Sequence, residues 1–198
     1  MNALLDAMGA TIIGAMFMLT IMTSLFTIQA LSANYQRQIT LVDQTERVTS
    51  ILDYYYLSAV GAGLLGAPIV ITEATPTSFI FNGELDNTIS IIELSRGAFD
   101  DTLGTYPLSV LVDNIVNYGP IWLSSSQDGT LDGLNITYYD EGESIISYTS
   151  LASQTQRNEV RSIMVELNFF YETYRSDIRA TDNSHRITFW KYFTNLYL

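Results

Sequence analysis

Ala7-Met8-Gly9-Ala10-Thr11-Ile12-Ile13-Gly14-Ala15-Met16-Phe17-Met18-Leu19-Thr20-Ile21-Met22-Thr23-Ser24-Leu25-Phe26-Thr27-Ile28 decides how the rest of this 198-residue chain is read. The run continues without a charge to Gln36, a stretch of 30 residues, and only Asp6 is charged before it. At 1.5 Å rise per residue, about 20 apolar residues cross the ~30 Å hydrocarbon layer of a bilayer. The segment therefore belongs in lipid or in an equally apolar packing, which excludes most soluble-enzyme readings. A cleaved signal peptide would need basic residues first and a shorter apolar core. Here Met1 to Asp6 carry no Lys or Arg. A chain of this size also has no core wide enough to surround a helix that is apolar on every side.

Small residues recur at Ala3, Ala7, Ala10, Gly14 and Ala15. Small side chains about four apart let helix backbones approach closely where the hydrophobic effect cannot drive association. The plainer reading, that Gly and Ala are common in membrane helices, accounts for part of the pattern. With no proline present, Gly14, Thr20, Thr23 and Ser24 are where the helix is expected to bend.

Beyond the apolar run, Gln38 to Val60 holds no Gly or Pro, and Leu41, Val48, Leu52, Tyr55 and Ala59 recur at helical spacing. This predicts a single helix from about Leu4 to Val60, stopped by Gly61-Ala62-Gly63 and Gly66-Ala67-Pro68. The expected organisation is an apolar helix over 1–36, an amphipathic continuation over 37–60 and a β-rich domain over 61–198. Within that domain 69–73, 77–81, 88–94, 135–139, 144–149, 161–171 and 185–196 read as strands. Asn82-Gly83 and Asp86-Asn87 read as turns, Asp140 to Glu143 as a hairpin turn, and Leu108 to Val116 as either strand or short helix. The fold class is α+β. In the last strand Ile187, Phe189 and Phe193 fall on one face, and Trp190 and Tyr192 on the other.

The net charge of −12 is unevenly placed: residues 38–153 hold 2 basic and 15 acidic side chains, and residues 154–198 hold 6 and 5. An acidic body repels phosphates, so no nucleic-acid partner is expected. There is no cysteine, hence no disulfide or thiolate metal site. The single histidine, His185, sits at a strand end beside Arg186 and reads as a surface residue, so no catalytic residue, enzyme activity, cofactor or metal is expected. Asp128-Gly129-Thr130-Leu131-Asp132-Gly133 has the composition of a calcium loop but lacks EF-hand ligand spacing. Asn135-Ile136-Thr137 matches a glycosylation acceptor, a pattern that chance supplies often. The basic residues Arg157, Arg161, Arg175, Arg179, Arg186 and Lys191 pair either with the acidic body of a neighbouring subunit or within the domain, with Glu159, Glu166, Glu172, Asp177 and Asp182, and at least half are expected within it.

An apolar helix, its amphipathic continuation and then a small antiparallel sheet resemble the plan of the type IV pilin and pseudopilin superfamily. Asp53-Tyr54-Tyr55-Tyr56-Leu57-Ser58-Ala59-Val60-Gly61-Ala62-Gly63 resembles the larger minor pilins and J-type pseudopilins. So do Thr77-Ser78-Phe79-Ile80-Phe81-Asn82-Gly83-Glu84-Leu85-Asp86, Gly133 to Glu143, Arg161 to Leu167 and the closing Phe193-Thr194-Asn195-Leu196. The resemblance implies a structural subunit, major or minor, of a pilus-like or pseudopilus-like filament. Its partners would be further copies of this chain or other pilin-like subunits. It would reside in the inner membrane before assembly, and in an extracellular or periplasmic filament afterwards. The assembly residues it marks are Asp6, Ala7, Ala10, Gly14, Phe17 and Ile21. The chain departs from the family in lacking the basic leader and the Gly before Phe-Thr-Leu-Ile-Glu, so it is expected to be a mature chain or one of a lineage that skips that cleavage. With Met1 removed, Asp6 becomes the fifth residue, where pilins place a Glu that meets a neighbour's N-terminal amine. The rival reading is a single-span membrane protein whose β-domain is a scaffold or sensor. Arg37 and Arg47 after the span favour a cytoplasmic domain by the positive-inside rule. The resemblance implies the opposite orientation, and that orientation is the one expected.

Overall fold

The computed structural model describes residues 2–64, 69–125, 131–170 and 184–196. Over these residues it is α+β: one long N-terminal helix, α1 (Asn2–Ser50), followed by an antiparallel sheet of eight strands. The chain divides into two compact units, Met1–Gln44 and Thr45–Leu198.

The α-helical pattern in α1 runs unbroken through Gly14 and through Thr20, Thr23 and Ser24, where a bend was expected. Departure from α geometry comes later. Ile51–Tyr56 form a π-helix, with the Leu57 N–H bonded to the Leu52 carbonyl, and Leu57–Ala59 close the helix as a 3-10 turn. The wider π turn changes which side chains face inward. Leu52, Tyr56, Leu57 and Ala59 are buried, whereas Tyr55, assigned to the apolar stripe by α periodicity, is 42% exposed.

The strands are β1 (Ile71–Ala74), β2 (Ser78–Leu85), β3 (Thr88–Arg96), β4 (Tyr106–Val112), β5 (Ile115–Leu123), β6 (Leu134–Tyr139), β7 (Ser162–Phe170) and β8 (Ser184–Tyr192). The first five form a meander. β7 then pairs with β5 at Leu123↔Phe169, with β6, and with β8 along its whole length. The hairpin turns β2–β3 and β3's neighbour β4–β5 use the same dipeptide. Asp86-Asn87 and Asp113-Asn114 both have positive φ at each residue, the geometry of a two-residue hairpin turn that matches strand twist.

Several sequence expectations are corrected. Leu108 to Val116 is neither one strand nor a helix but the end of β4, the Asp113-Asn114 turn and the start of β5. Residues 144–149 form no strand; Ile145 makes one bridge to Tyr139 before a 3-10 turn at Ser150–Ala152. β8 stops at Tyr192, and Thr194–Leu196 turn as 3-10 helix. Asn82-Gly83 lies inside β2 rather than in a turn. Gly66 to Pro68 and Tyr171 lie outside the described residues.

Alternation with period 2 places Phe79 and Phe81 of β2, Val165 and Leu167 of β7 and their neighbours in one buried layer, while side chains between them are more exposed. Phe79 is the hub, with ring centroids 4.9 Å from Phe81, 5.7 Å from Tyr138 and 5.9 Å from Phe193. The Tyr138 hydroxyl donates to the Thr75 carbonyl at 2.9 Å, and burial pushes its pKa well up, so it remains a neutral donor.

Candidate functional site

Two regions carry candidate chemistry: the apolar length of α1, and the polar and aromatic groups around its C-terminal end and β6–β8.

In the first, the window within Asp6–Ala59 that is long and apolar enough to cross a bilayer contains no buried residue. Phe17 is 70% and Ile21 54% exposed, and Asp6, Ala7, Ala10 and Gly14 are exposed as well. At 3.6 residues per turn, the six positions Asp6, Ala7, Ala10, Gly14, Phe17 and Ile21 fall within an arc of about 100° on the helix. So the geometry brings the six onto one face, yet the described chain supplies nothing opposite them. A Cβ added at Gly9 or at Gly14 would meet no atom within 4 Å beyond the adjoining backbone of its own helix. The hydroxyls do not spoil the apolar surface. Thr20, Thr23, Ser24 and Thr27 donate to the carbonyls of Met16, Leu19, Thr20 and Thr23 at 2.8–2.9 Å. Each donor is thereby satisfied inside its own helix, as an apolar medium requires.

The second region is held by contacts that periodicity does not show. The Tyr55 hydroxyl donates to the Asp86 carboxylate at 2.8 Å, which raises the tyrosine pKa, and the Tyr56 hydroxyl donates to Asn117 at 2.5 Å. Lys191 Nζ lies 2.9 Å from Asp53 Oδ1 and donates to the Asp53 carbonyl at 2.7 Å. Asn195 donates to the Val60 carbonyl at 3.0 Å. The π turn is thus fastened at Asp86 and Asn117 by its tyrosines, and on its other side by the chain's C-terminal segment.

The cations expected either within the domain or between subunits are partly accounted for. Arg186 meets Glu166 at 2.5 Å, and Lys191 meets Asp53. Arg157 donates to the Leu151 and Ala152 carbonyls, and Arg161 to those of Asn158 and Val160. These four are engaged within their own domain, while Arg175 and Arg179 lie outside the described residues. His185 is exposed at the start of β8. Asp128 lies outside the described residues, and the Asp132 carboxylate accepts the Ser125 hydroxyl at 3.1 Å. Among the described residues no cluster of three or more His, Cys, Asp or Glu side chains is placed to hold a metal ion.

No family model, no curated protein and no solved structure matches the chain.

Proposed function

We propose that this chain is a structural subunit of a type IV pilus-like or pseudopilus-like filament, assembled through the apolar part of α1. The observation that carries the reading is an apolar helical surface that no described residue covers, bearing small residues on one face. A bilayer covers such a surface in the unassembled protein, and the apolar helices of other subunits cover it in a filament. Even about 1,000 Å² of apolar burial at ~25 cal/mol/Å² amounts to about 25 kcal/mol before ordering costs. In this reading Asp6 supplies the polar end of the contact and meets an N-terminal amine, since residues 7–36 hold no Lys or Arg. The β-domain faces away from the cytoplasm in this reading.

Immunogold electron microscopy of native cells and of sheared surface material tests the proposal. Filaments that carry this chain are the expected result. Recovery solely as a detergent-solubilised monomer overturns it in favour of the single-span scaffold or sensor. Protease treatment of spheroplasts checks the orientation: the domain is expected to be digested before the membrane is broken.

A further inference from the structure

The face of β6–β7–β8 opposite the buried layer carries an organised set of polar and aromatic groups. Along β7 the buried Ile163, Val165 and Leu167 alternate with Met164 and Glu166. The strand register sets Thr137, Met164 and Trp190 in one row across the three strands and Asn135, Glu166 and Thr188 in the next. Trp190 is 44% and Tyr192 50% exposed. The Trp190 indole leans on the Tyr139 ring at 4.5 Å between centroids, which orients it. In the adjoining row Glu166 is held from both sides, by Arg186 at 2.5 Å and by the Asn135 amide at 3.0 Å. The Tyr148 hydroxyl donates to the Ile136 carbonyl at 3.0 Å and lies 3.4 Å from Asn135 Oδ1.

We propose that this face binds a neutral saccharide chain, with a sugar ring seated on Trp190 and the hydroxyls of its neighbour met by Asn135, Glu166 and Arg186. A pyranose presents an apolar face of C–H bonds and an equator of hydroxyls. It therefore needs an exposed flat ring beside planar polar groups whose directions are already set. Successive rows on one face of a strand are about 6.8 Å apart, so the two kinds of contact serve adjacent units of one chain. The carboxylate and guanidinium cancel each other locally on a domain whose residues 38–153 hold 15 acidic and 2 basic side chains. That cancellation suits an uncharged ligand and disfavours an anionic one. Tethering Glu166 and Arg186 to each other lowers the ordering cost of receiving hydroxyls. The platform lies within the unit Thr45–Leu198 and does not depend on how α1 is used.

The test is isothermal titration calorimetry on the full chain in a zwitterionic detergent that carries no sugar headgroup. The probes are cellohexaose, maltohexaose, mannohexaose and chitohexaose. Saturable binding of at least one is expected, with Trp190→Ala weakening it about tenfold or more, the factor equivalent to 1.4 kcal/mol. Asn135→Ala leaves the aromatic row in place and is expected to weaken binding about threefold or more, the scale of one lost hydrogen bond. Trp122→Phe alters the other tryptophan and is expected to bind as the parent does. Melting curves by circular dichroism establish that each variant is folded. Silence of all four probes at about 10 mM overturns the proposal, since that is weaker than the millimolar affinity of even a poor site. Unchanged binding in both Trp190→Ala and Asn135→Ala overturns it too. So does self-association of the chain that Trp190→Ala abolishes, because a second copy would then be the occupant of this face.

Discussion

Glu166 is pulled in two directions. Partial burial raises its pKa, but the hydrogen bond from Arg186, then that from Asn135, outweighs it and holds the carboxyl below the ordinary glutamate range. A depressed folded-state value means that the unfolded chain binds the proton more readily. The stabilisation is therefore complete above the unfolded pKa and is lost as pH falls through the folded one. Glu166→Gln is expected to lower the melting temperature at pH 7. The gap between parent and variant should then close as pH falls from about 5 toward 3, across the range where glutamates titrate. Thermal melts at half-unit pH steps check this, and a gap independent of pH would mean that the pair contributes nothing through its charge. Arg186 and Glu166 were legible as members of two sets expected to pair within the domain, but not as partners of each other. Residues 166 and 186 are separated by a segment whose length says nothing of register, and only the pairing Asn168↔Arg186 brings Arg186 diagonal to Glu166.

The elements themselves were legible wherever one period ran uninterrupted. β2, β3 and β7 alternate cleanly, and α1 lacks Gly and Pro over its amphipathic part, so their existence follows from pattern alone. Legibility failed where two signals competed. Gly119-Pro120 interrupts β5, and the apolar letters on both sides of Asp113-Asn114 hid a turn that the identical dipeptide at 86–87 made plain. α periodicity chose Tyr55 over Tyr56, because a π turn leaves no mark in composition. Asn82-Gly83 misled for a physical reason. Gly83 is needed inside β2 because the helix end comes down on it: Val60 bridges to Gly83, and a Cβ there would lie 1.8 Å from the Ala59 carbonyl oxygen. The obstacle is backbone, so no side-chain rotation relieves it. Gly83→Ala is therefore expected to cost at least about 2 kcal/mol, within the 1–3 kcal/mol typical of overpacking. For a chain of this size that lowers the melting temperature by roughly 4–8 °C. Gly142→Ala, whose added Cβ would meet only side-chain oxygens at 3.4 Å and 4.0 Å, is the control and is expected to melt near the parent. Equal melting of the two variants would show that the helix end does not press on β2.

At the scale of the whole molecule, the sequence disclosed an apolar helix and a β-rich domain, and the six assembly candidates do share one helix face. Among the described residues nothing lies opposite them, so the assembly role proposed for them calls for a further subunit. The same fact makes the assembly reading testable without disturbing the fold. Gly14 borders open space, and the unit Met1–Gln44 that holds it is compact separately from the domain. Gly14→Leu should therefore leave the domain's melting temperature within about 1 °C, as expected for a change that loses no contact. In a filament the branched side chain would instead stand where small residues let two backbones approach, and yield should fall about tenfold for a loss of only 1.4 kcal/mol. Asp6→Ala probes the other end of the contact. A carboxylate in an apolar core costs several kcal/mol unless paired, and the helix N-terminus contributes only about 0.3–1 kcal/mol in its favour. In the proposed filament the N-terminal amine of a neighbouring subunit is the counter-ion to Asp6, and residues 7–36 hold no Lys or Arg. Removing the carboxylate leaves that amine unpaired, and filament yield should fall with the domain still folded. Asp6→Asn keeps the size and a hydrogen-bonding group but not the charge, so it should fail nearly as badly as Asp6→Ala if charge is what pairs. Normal assembly of both Asp6 variants would reduce Asp6 to a charge at headgroup level that limits how deeply the helix sits. Normal assembly of Gly14→Leu would move the helix–helix contact to another face of α1.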